Sequence, residues 1–329
     1  MLVSTLLMLC WVTPQERVLL DAENRYRIAE LAEPAPGPGQ VAIRVAYAGV
    51  QWGDTMVRDG HFPVPRPFVP GFEASGHIAA VGEGVDPGRI GEPVAALTTA
   101  GAWAEVVVAP AVLALDIGGL PLRTAAGVGW GGPTAYDLVD TVSRVRPGES
   151  VLVHAAAGSV GTLATQFARL AGAGRVVGVA GSTARAEYAA QFGYDQVLLR
   201  EEFPGKLGDE KFDVILDPVG GSTRLAGLER LAAHGRLVAY GNLGTHEPVL
   251  ADANDLLMQG KSLMTYNGNL LGRTRPEQLA DSARRALGLV ADGQVRVDIT
   301  AEYELADLAT AVQRLADGST HGKSILRIA

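Results

Sequence analysis

Over the first third of the chain the apolar residues fall in short runs, each closed by glycine or proline. This pattern predicts strands near 17–20 and at 41–48, 74–81, 93–97 and 104–108, with Glu33-Pro34-Ala35-Pro36-Gly37-Pro38-Gly39 as a loop. It describes an irregular, largely antiparallel β domain. From about Thr134 the period lengthens. Helices are expected at 134–144, 160–171, 183–192 and 221–232, alternating with strands at 150–154, 175–180, 196–199, 212–216 and 236–241. Strands alternating with helices imply a parallel sheet covered on both faces. After an extended stretch at 263–267, a helix (276–292), a strand (295–299), a helix (305–317) and a terminal strand (323–328) form a tail free to return to the first domain. No internal repeat or low-complexity segment interrupts this order.

Composition narrows the picture. A chain of 329 residues, 47% hydrophobic, has enough apolar material for two domains of roughly 100–200 residues each. The net charge of −8 provides no overall basic field, which argues against a nucleic-acid partner. The one cysteine, Cys10, excludes an intramolecular disulfide, a four-cysteine zinc site and a CxxC redox pair. The opening residues MLVSTLLMLCWVTP contain a short apolar run, but they lack a basic start and a small residue before Cys10, so they fit a signal peptide or lipid anchor poorly. No later apolar run reaches the roughly 18 residues that cross a bilayer, so the expectation is a soluble, cytoplasmic protein without a membrane partner.

The most informative stretch is Val151-Leu152-Val153-His154-Ala155-Ala156-Ala157-Gly158-Ser159-Val160-Gly161. An apolar strand runs into a turn of small residues, and an amphipathic helix follows at once. Small residues let the backbone approach a pyrophosphate, and the helix start supplies unpaired N–H groups and a positive dipole end. The spacing is A-x-G-x-x-G, with Ala156 at the first position. About 20 residues later, where an NAD site places an acidic residue on the ribose, the chain reads Val179-Ala180-Gly181-Ser182-Thr183-Ala184-Arg185. Hydroxyls and a guanidinium without a carboxylate suit a 2′-phosphate. NADPH is therefore the expected cofactor.

Several further motifs occur in fixed order: Ala48-Gly49-Val50-Gln51-Trp52-Gly53-Asp54-Thr55, Pro70-Gly71-Phe72-Glu73-Ala74-Ser75-Gly76, Gly132-Pro133-Thr134-Ala135-Tyr136, Asp217-Pro218-Val219-Gly220-Gly221, Tyr240-Gly241-Asn242 and His321-Gly322-Lys323-Ser324. With these, the chain from about residue 18 onward resembles the zinc-independent quinone oxidoreductases of the medium-chain dehydrogenase/reductase superfamily, which are close to polyketide enoyl reductases. The resemblance implies an α/β fold in two parts. A GroES-like, mainly β catalytic domain would cover 17–133 and 269–329, and a Rossmann domain with a doubly wound parallel sheet would be inserted at 134–268 to bind NADPH. Residues 1–16 would be an N-terminal extension, and the assembly a homodimer. The resemblance places Thr134 near the nicotinamide and Ala157, Gly158, Ser159, Val160 and Gly161 around the pyrophosphate. Gly181, Ser182, Thr183, Arg185 and Arg200 would surround the 2′-phosphate. Val219, Gly241, Asn242, Asn267 and Lys323 would complete the cofactor contacts, with a surface position as the alternative for Lys323.

Zinc-dependent relatives carry a Cys and a His-Glu pair where this chain has Gln51 and Phe72-Glu73, and its six histidines lack ligand spacing, so no metal is expected. Without a metal to stabilise an alkoxide, the accessible chemistry is hydride transfer to a small electrophile, a quinone or an α,β-unsaturated carbonyl. An enoyl thioester presented on a carrier is an alternative, as is a non-catalytic NADPH-binding protein. Gln51, Trp52, Met56, His61, Trp130 and Tyr266 are the substrate-pocket candidates. Phe62 stands where polyketide enoyl reductases carry a tyrosine considered a proton donor, leaving His61, Tyr266 or solvent for that task. Asp54 and Glu73 read as structural, one pinning a turn or capping a helix near 54–60 and the other pairing with a nearby cation.

Overall fold

The computed structural model describes residues 14–329. Residues 1–13, with Cys10, lie outside it. The chain opens on a hairpin of β1 (Pro14–Leu20) and β2 (Tyr26–Ala32). Residues 14–16 therefore belong to a strand and not to an extension. There follow β3 (Gln40–Val50), α1 (Trp52–Arg58), β4 (Glu73–Val81), β5 (Pro93–Leu97), β6 (Val106–Pro110), β7 (Ala114–Asp116) and α2 (Leu122–Val128). The strand pairs in this region are antiparallel.

The regular helix expected at 134–144 is instead α3 (Gly131–Tyr136) running into a π-helical turn over Asp137–Val142. There the Ser143 N–H reaches back to the Leu138 carbonyl (3.1 Å). The extra residue in the turn goes with a buried side chain at Asp137 that is fully engaged with partners from two later segments, described below; such bulges recur at functional sites.

Strands and helices then alternate: β8 (Ser150–His154), α4 (Ser159–Leu170), β9 (Arg175–Ala180), α5 (Thr183–Ala190), β10 (Gln196–Leu199), β11 (Phe212–Asp217), α6 (Gly221–Arg230), β12 (Leu231–Ala239), α7 (Ala253–Gln259) and β13 (Ser262–Thr265). The six strands form one parallel sheet in the order β10-β9-β8-β11-β12-β13. Val151, Leu152 and Val153 are all fully buried, as a strand covered on both faces requires. The order reverses between β8 and β11, and open α/β sheets bind ligands in the crevice beyond the carboxyl ends at such a point. The expected α/β fold, with its doubly wound sheet, is present.

The tail comprises α8 (Gly268–Thr274), α9 (Pro276–Ala291), β14 (Ile299–Glu304), α10 (Leu308–Ala316) and β15 (Lys323–Arg327). It returns to the first sheet, where β15 pairs antiparallel with β3, setting Ile325 against Gly49. The strand expected at 295–299 begins only at Ile299. Its apolar alternation comes from packing: Val295 is buried, and the side-chain amide of Gln166 takes both the N–H (2.8 Å) and the carbonyl (2.9 Å) of Arg296, in place of strand partners.

Candidate active site

The crevice is built around the turn after β8. Ala155 adopts a positive φ of 55°, the Ala156 N–H donates to the Val179 carbonyl of the next strand (3.0 Å), and Gly158 precedes the first residue of α4. A Cβ on Gly161 would lie 2.5 Å from the Ala155 oxygen and 2.8 Å from that of Ala156, so only glycine lets the first turn of α4 rest on the end of β8. The N–H groups of Ser159, Val160 and Gly161, in the first turn, have no acceptor within the helix, an arrangement suited to an anion. From the tail, the Gly322 N–H donates to the Ala157 carbonyl (2.8 Å), lacing the segment before β15 onto this turn.

At the end of β9, Gly181, Ser182 and Thr183 are exposed, and the Ser182 hydroxyl caps α5. Two guanidinium groups converge on Gly181: a Cβ there would lie 3.2 Å from Arg200 Nη2 and 3.6 Å from Arg185 Nη1. Arg185 also donates from Nε to the Thr320 carbonyl (2.9 Å). Burial, and secondarily the like charge of Arg200, hold the Arg185 pKa below its ordinary value, and no carboxylate counters them. Two cations gathered around a bare glycine fit a phosphate dianion.

The far wall of the crevice rests on Asp217, whose role the sequence left unread. Its fully buried carboxylate accepts from the N–H groups of Val219 (2.7 Å) and Gly220 (3.2 Å) and pairs with Arg224 Nε (2.6 Å). Arg224 donates in turn to the Gly241 carbonyl (2.7 Å), and the side-chain oxygen of Asn242 lies beside Gly220. The Val219 and Gly241 loops are thus tied together by one ion pair.

At the opposite end, Thr134 and Tyr266 meet. The Tyr266 phenol, beside the Thr134 hydroxyl, donates to the buried Asp137 carboxylate (2.9 Å). Ser282 (2.6 Å) and Thr141 (3.0 Å) also donate to Asp137. Burial, and then the Asp137 charge, push the Tyr266 pKa well above that of an ordinary phenol. Asn267 caps α8, its side-chain oxygen accepting from the Leu270 N–H (3.0 Å). Trp130 lies beneath this helix: Cβ atoms on Gly268 and Gly272 would touch its ring at 3.3 and 3.2 Å.

Gln51 stands at the N-cap of α1, and its N–H donates to Asp54 Oδ2 (2.8 Å), so Asp54 caps that helix as expected. Burial raises the Asp54 carboxyl pKa well above the usual range. Trp52 and Met56 are half-buried on α1. His61 is instead exposed and stacks on His246 from the loop after β12, ring centroids 4.3 Å apart.

Lys323 is not on the surface. Its ammonium is buried and paired with Glu73, which accepts also from the Trp130 N–H. The residues present do not fit a zinc ion: Phe72 offers no donor, both Glu73 oxygens are engaged, and no group of three or more His, Cys, Asp or Glu among the described residues is arranged to hold a metal.

A dinucleotide crevice at the switch point of a doubly wound sheet, beside an antiparallel β domain that takes back the chain's last strand, defines the medium-chain dehydrogenase/reductase class. The family models agree. The one described as "Alcohol dehydrogenase GroES-like domain" matches residues 37–119, and "Zinc-binding dehydrogenase" matches 159–285. The chain is 30% identical over 305 residues to the phthioceranic/hydroxyphthioceranic acid synthase of Mycobacterium tuberculosis, a match that covers 89% of this chain and 14% of that far longer protein. Among solved structures, a mycobacterial protein complexed with NADPH is 30% identical with a TM-score of 0.88, over 95% of this chain and 100% of that one. The Escherichia coli quinone oxidoreductase complexed with NADPH is 28% identical with a TM-score of 0.84, over 95% and 100%. The chain belongs to the quinone oxidoreductase family of that superfamily.

Proposed function

We propose that this chain is a cytoplasmic, zinc-independent reductase that uses NADPH to reduce a quinone. The observation that carries the cofactor reading is the convergence of Arg185 and Arg200 on Gly181. Solved relatives complexed with NADPH support it. The stretch from 134 to 268 holds the dinucleotide, and the segments before and after it hold the substrate.

NADPH, when bound, supplies the hydride. The first turn of α4 holds the pyrophosphate, the Arg224 and Asp217 pair keeps the far wall in place, and Trp130 and Tyr266 border the reacting end. The acceptor follows from protons. Reduction of an enone or enoyl thioester leaves a carbanion equivalent that must be protonated at carbon, whereas a quinone takes hydride and then a solvent proton on oxygen. Phe62 carries no acidic proton, and that of Tyr266 is committed to Asp137. This favours the quinone. A carrier-bound enoyl thioester remains the second reading, supported by the similarity to a stretch of the mycobacterial synthase.

The assembly in this reading is a homodimer. In its support, β13 ends the parallel sheet with a free edge, and the preceding α7 exposes Leu257 (75%) and Met258 (83%).

The deciding experiment follows NADPH and NADH absorbance against quinones, enones and enoyl thioesters, with and without chelator. Fastest turnover of NADPH with quinones, insensitive to chelator, is expected. Turnover only with thioesters selects the second reading, loss of activity with chelator overturns zinc independence, and NADPH binding without oxidation by any acceptor overturns catalysis.

A further inference from the structure

The seam between the turn after β8 and the first turn of α4 has no side chain of its own at Gly161, and the phenol of Tyr194 spans it. Tyr194 lies between α5 and β10 and is buried. Its hydroxyl donates to the Gly161 carbonyl in α4 (2.8 Å) and, at longer range, to the Ala156 carbonyl in the turn (3.4 Å). Burial pushes the phenol pKa well above its ordinary value, so the hydroxyl remains a donor. Gly178 of β9 admits the ring: a Cβ there would lie 3.1 Å from it and 2.8 Å from the Cβ of Ala156. Both chain neighbours of Tyr194 are held from the last turn of α4. Arg169 donates from Nε to the Gly193 carbonyl (2.8 Å) and pairs through Nη2 with Asp195 (2.6 Å), which accepts also from the Val176 N–H (2.7 Å). The segment 193–195 is thus braced at one end of the helix, and Tyr194 reaches from it to the other.

We propose that Tyr194 is a positioning residue of the phosphate-binding turn, its hydroxyl tying the Gly161 and Ala156 carbonyls together so that the N–H groups of Ser159, Val160 and Gly161 stay aimed at the cofactor's pyrophosphate. The proposal rests on the reading that the first turn of α4 holds that group. The bare contact of Gly161 with the Ala155 and Ala156 oxygens sets how near helix and strand come, but it is not a directional bond. The phenol supplies one. Packed in the core, Tyr194 acts on the nucleotide through the backbone that it holds.

The test compares 2′-phospho-ADP-ribose, which carries the pyrophosphate, with adenosine 2′-monophosphate, which has no 5′-phosphate. Dissociation constants are read by displacement of NADPH fluorescence for wild type and Tyr194→Phe, a variant that keeps the ring against Gly178 and removes only the donor. Wild type is expected to bind the pyrophosphate compound at least about tenfold more tightly. Tyr194→Phe should weaken that compound and NADPH about three- to tenfold while changing adenosine 2′-monophosphate by less than about twofold. In turnover the same loss should appear in the KM for NADPH, with kcat at saturating NADPH unchanged. Equal weakening of both compounds, as a general loosening of the domain would produce, or weakening of neither, would overturn the role of Tyr194. A wild type that gains nothing from the pyrophosphate overturns the reading of the α4 turn, and the proposal with it.

Discussion

Lys323 and Glu73, 250 residues apart in sequence, form a buried ion pair that fastens the last strand of the chain to the floor of the first domain. The surrounding backbone is shaped to admit it. Cβ atoms on Gly49 and Gly129 would fall 2.1 and 1.9 Å from the Glu73 carboxylate, so both positions must stay bare. The Trp130 N–H binds the other Glu73 oxygen, which links the pair to the residue beneath α8.

Removing one partner should leave the other charge buried and alone, at a cost of about 3–5 kcal/mol. Glu73→Gln and Lys323→Met should each lower unfolding stability by that order in urea titrations, and the double variant should recover much of the loss. Single variants within about 0.5 kcal/mol of wild type would show that the pair is solvated.

The guanidinium pair at Gly181 predicts cofactor discrimination. Charge-assisted bonds to phosphate are strong, so Arg185→Ala and Arg200→Ala should each raise the KM for NADPH about ten- to a hundredfold while leaving NADH nearly unchanged. The KM for NADPH should also rise with ionic strength in wild type more steeply than in either variant. Parallel losses with both nucleotides would place these residues elsewhere in the binding event.

How much of this was legible in the sequence follows from where the signal is local. The β8 turn could be read because glycine spacing, strand and helix adjoin each other, and Gly181 and Arg185 follow a short distance along the chain. The helix-start contact of Asp54 with the Gln51 N–H could be read for the same reason. Asp137 could not, because its partners Tyr266 and Ser282 lie 129 and 145 residues away and nothing local marks the extra residue of the π-helical turn. The burial of Lys323 was hidden for a related reason: a lysine in a glycine turn offers a surface position as one of its readings until β15 is known to pair with β3. The alternation at Val295 and Val297 mimics a strand because period alone does not distinguish a ladder from a side-chain amide as the backbone's partner.

Assembly through the β13 edge predicts that charge on α7 dissociates the protein. Leu257→Arg with Met258→Glu should shift the mass measured by light scattering from twice that of the chain to that of one chain, with the far-ultraviolet circular dichroism unchanged. A wild type already monomeric at micromolar concentration would remove the proposal.

The end of β8 predicts a pH dependence of stability. His154 is buried, its Nε2 has no partner, and its ring packs edge-on against Phe203 with centroids 4.7 Å apart. Desolvation, aided by the nearby Arg200 charge and opposed by Asp217, lowers its pKa from 6.5 to about 4. Between these values the unfolded chain binds a proton that the folded one refuses. The contribution of His154 is therefore fully present above about pH 6.5 and is lost as the pH falls toward 4, to a total of about 3 kcal/mol. Unfolding free energies measured from pH 7 to 4 should fall for wild type and fall less for His154→Leu, the two curves converging as the pH drops. Parallel curves would mean that the imidazole is protonated in the fold, with water or Asp217 as its partner.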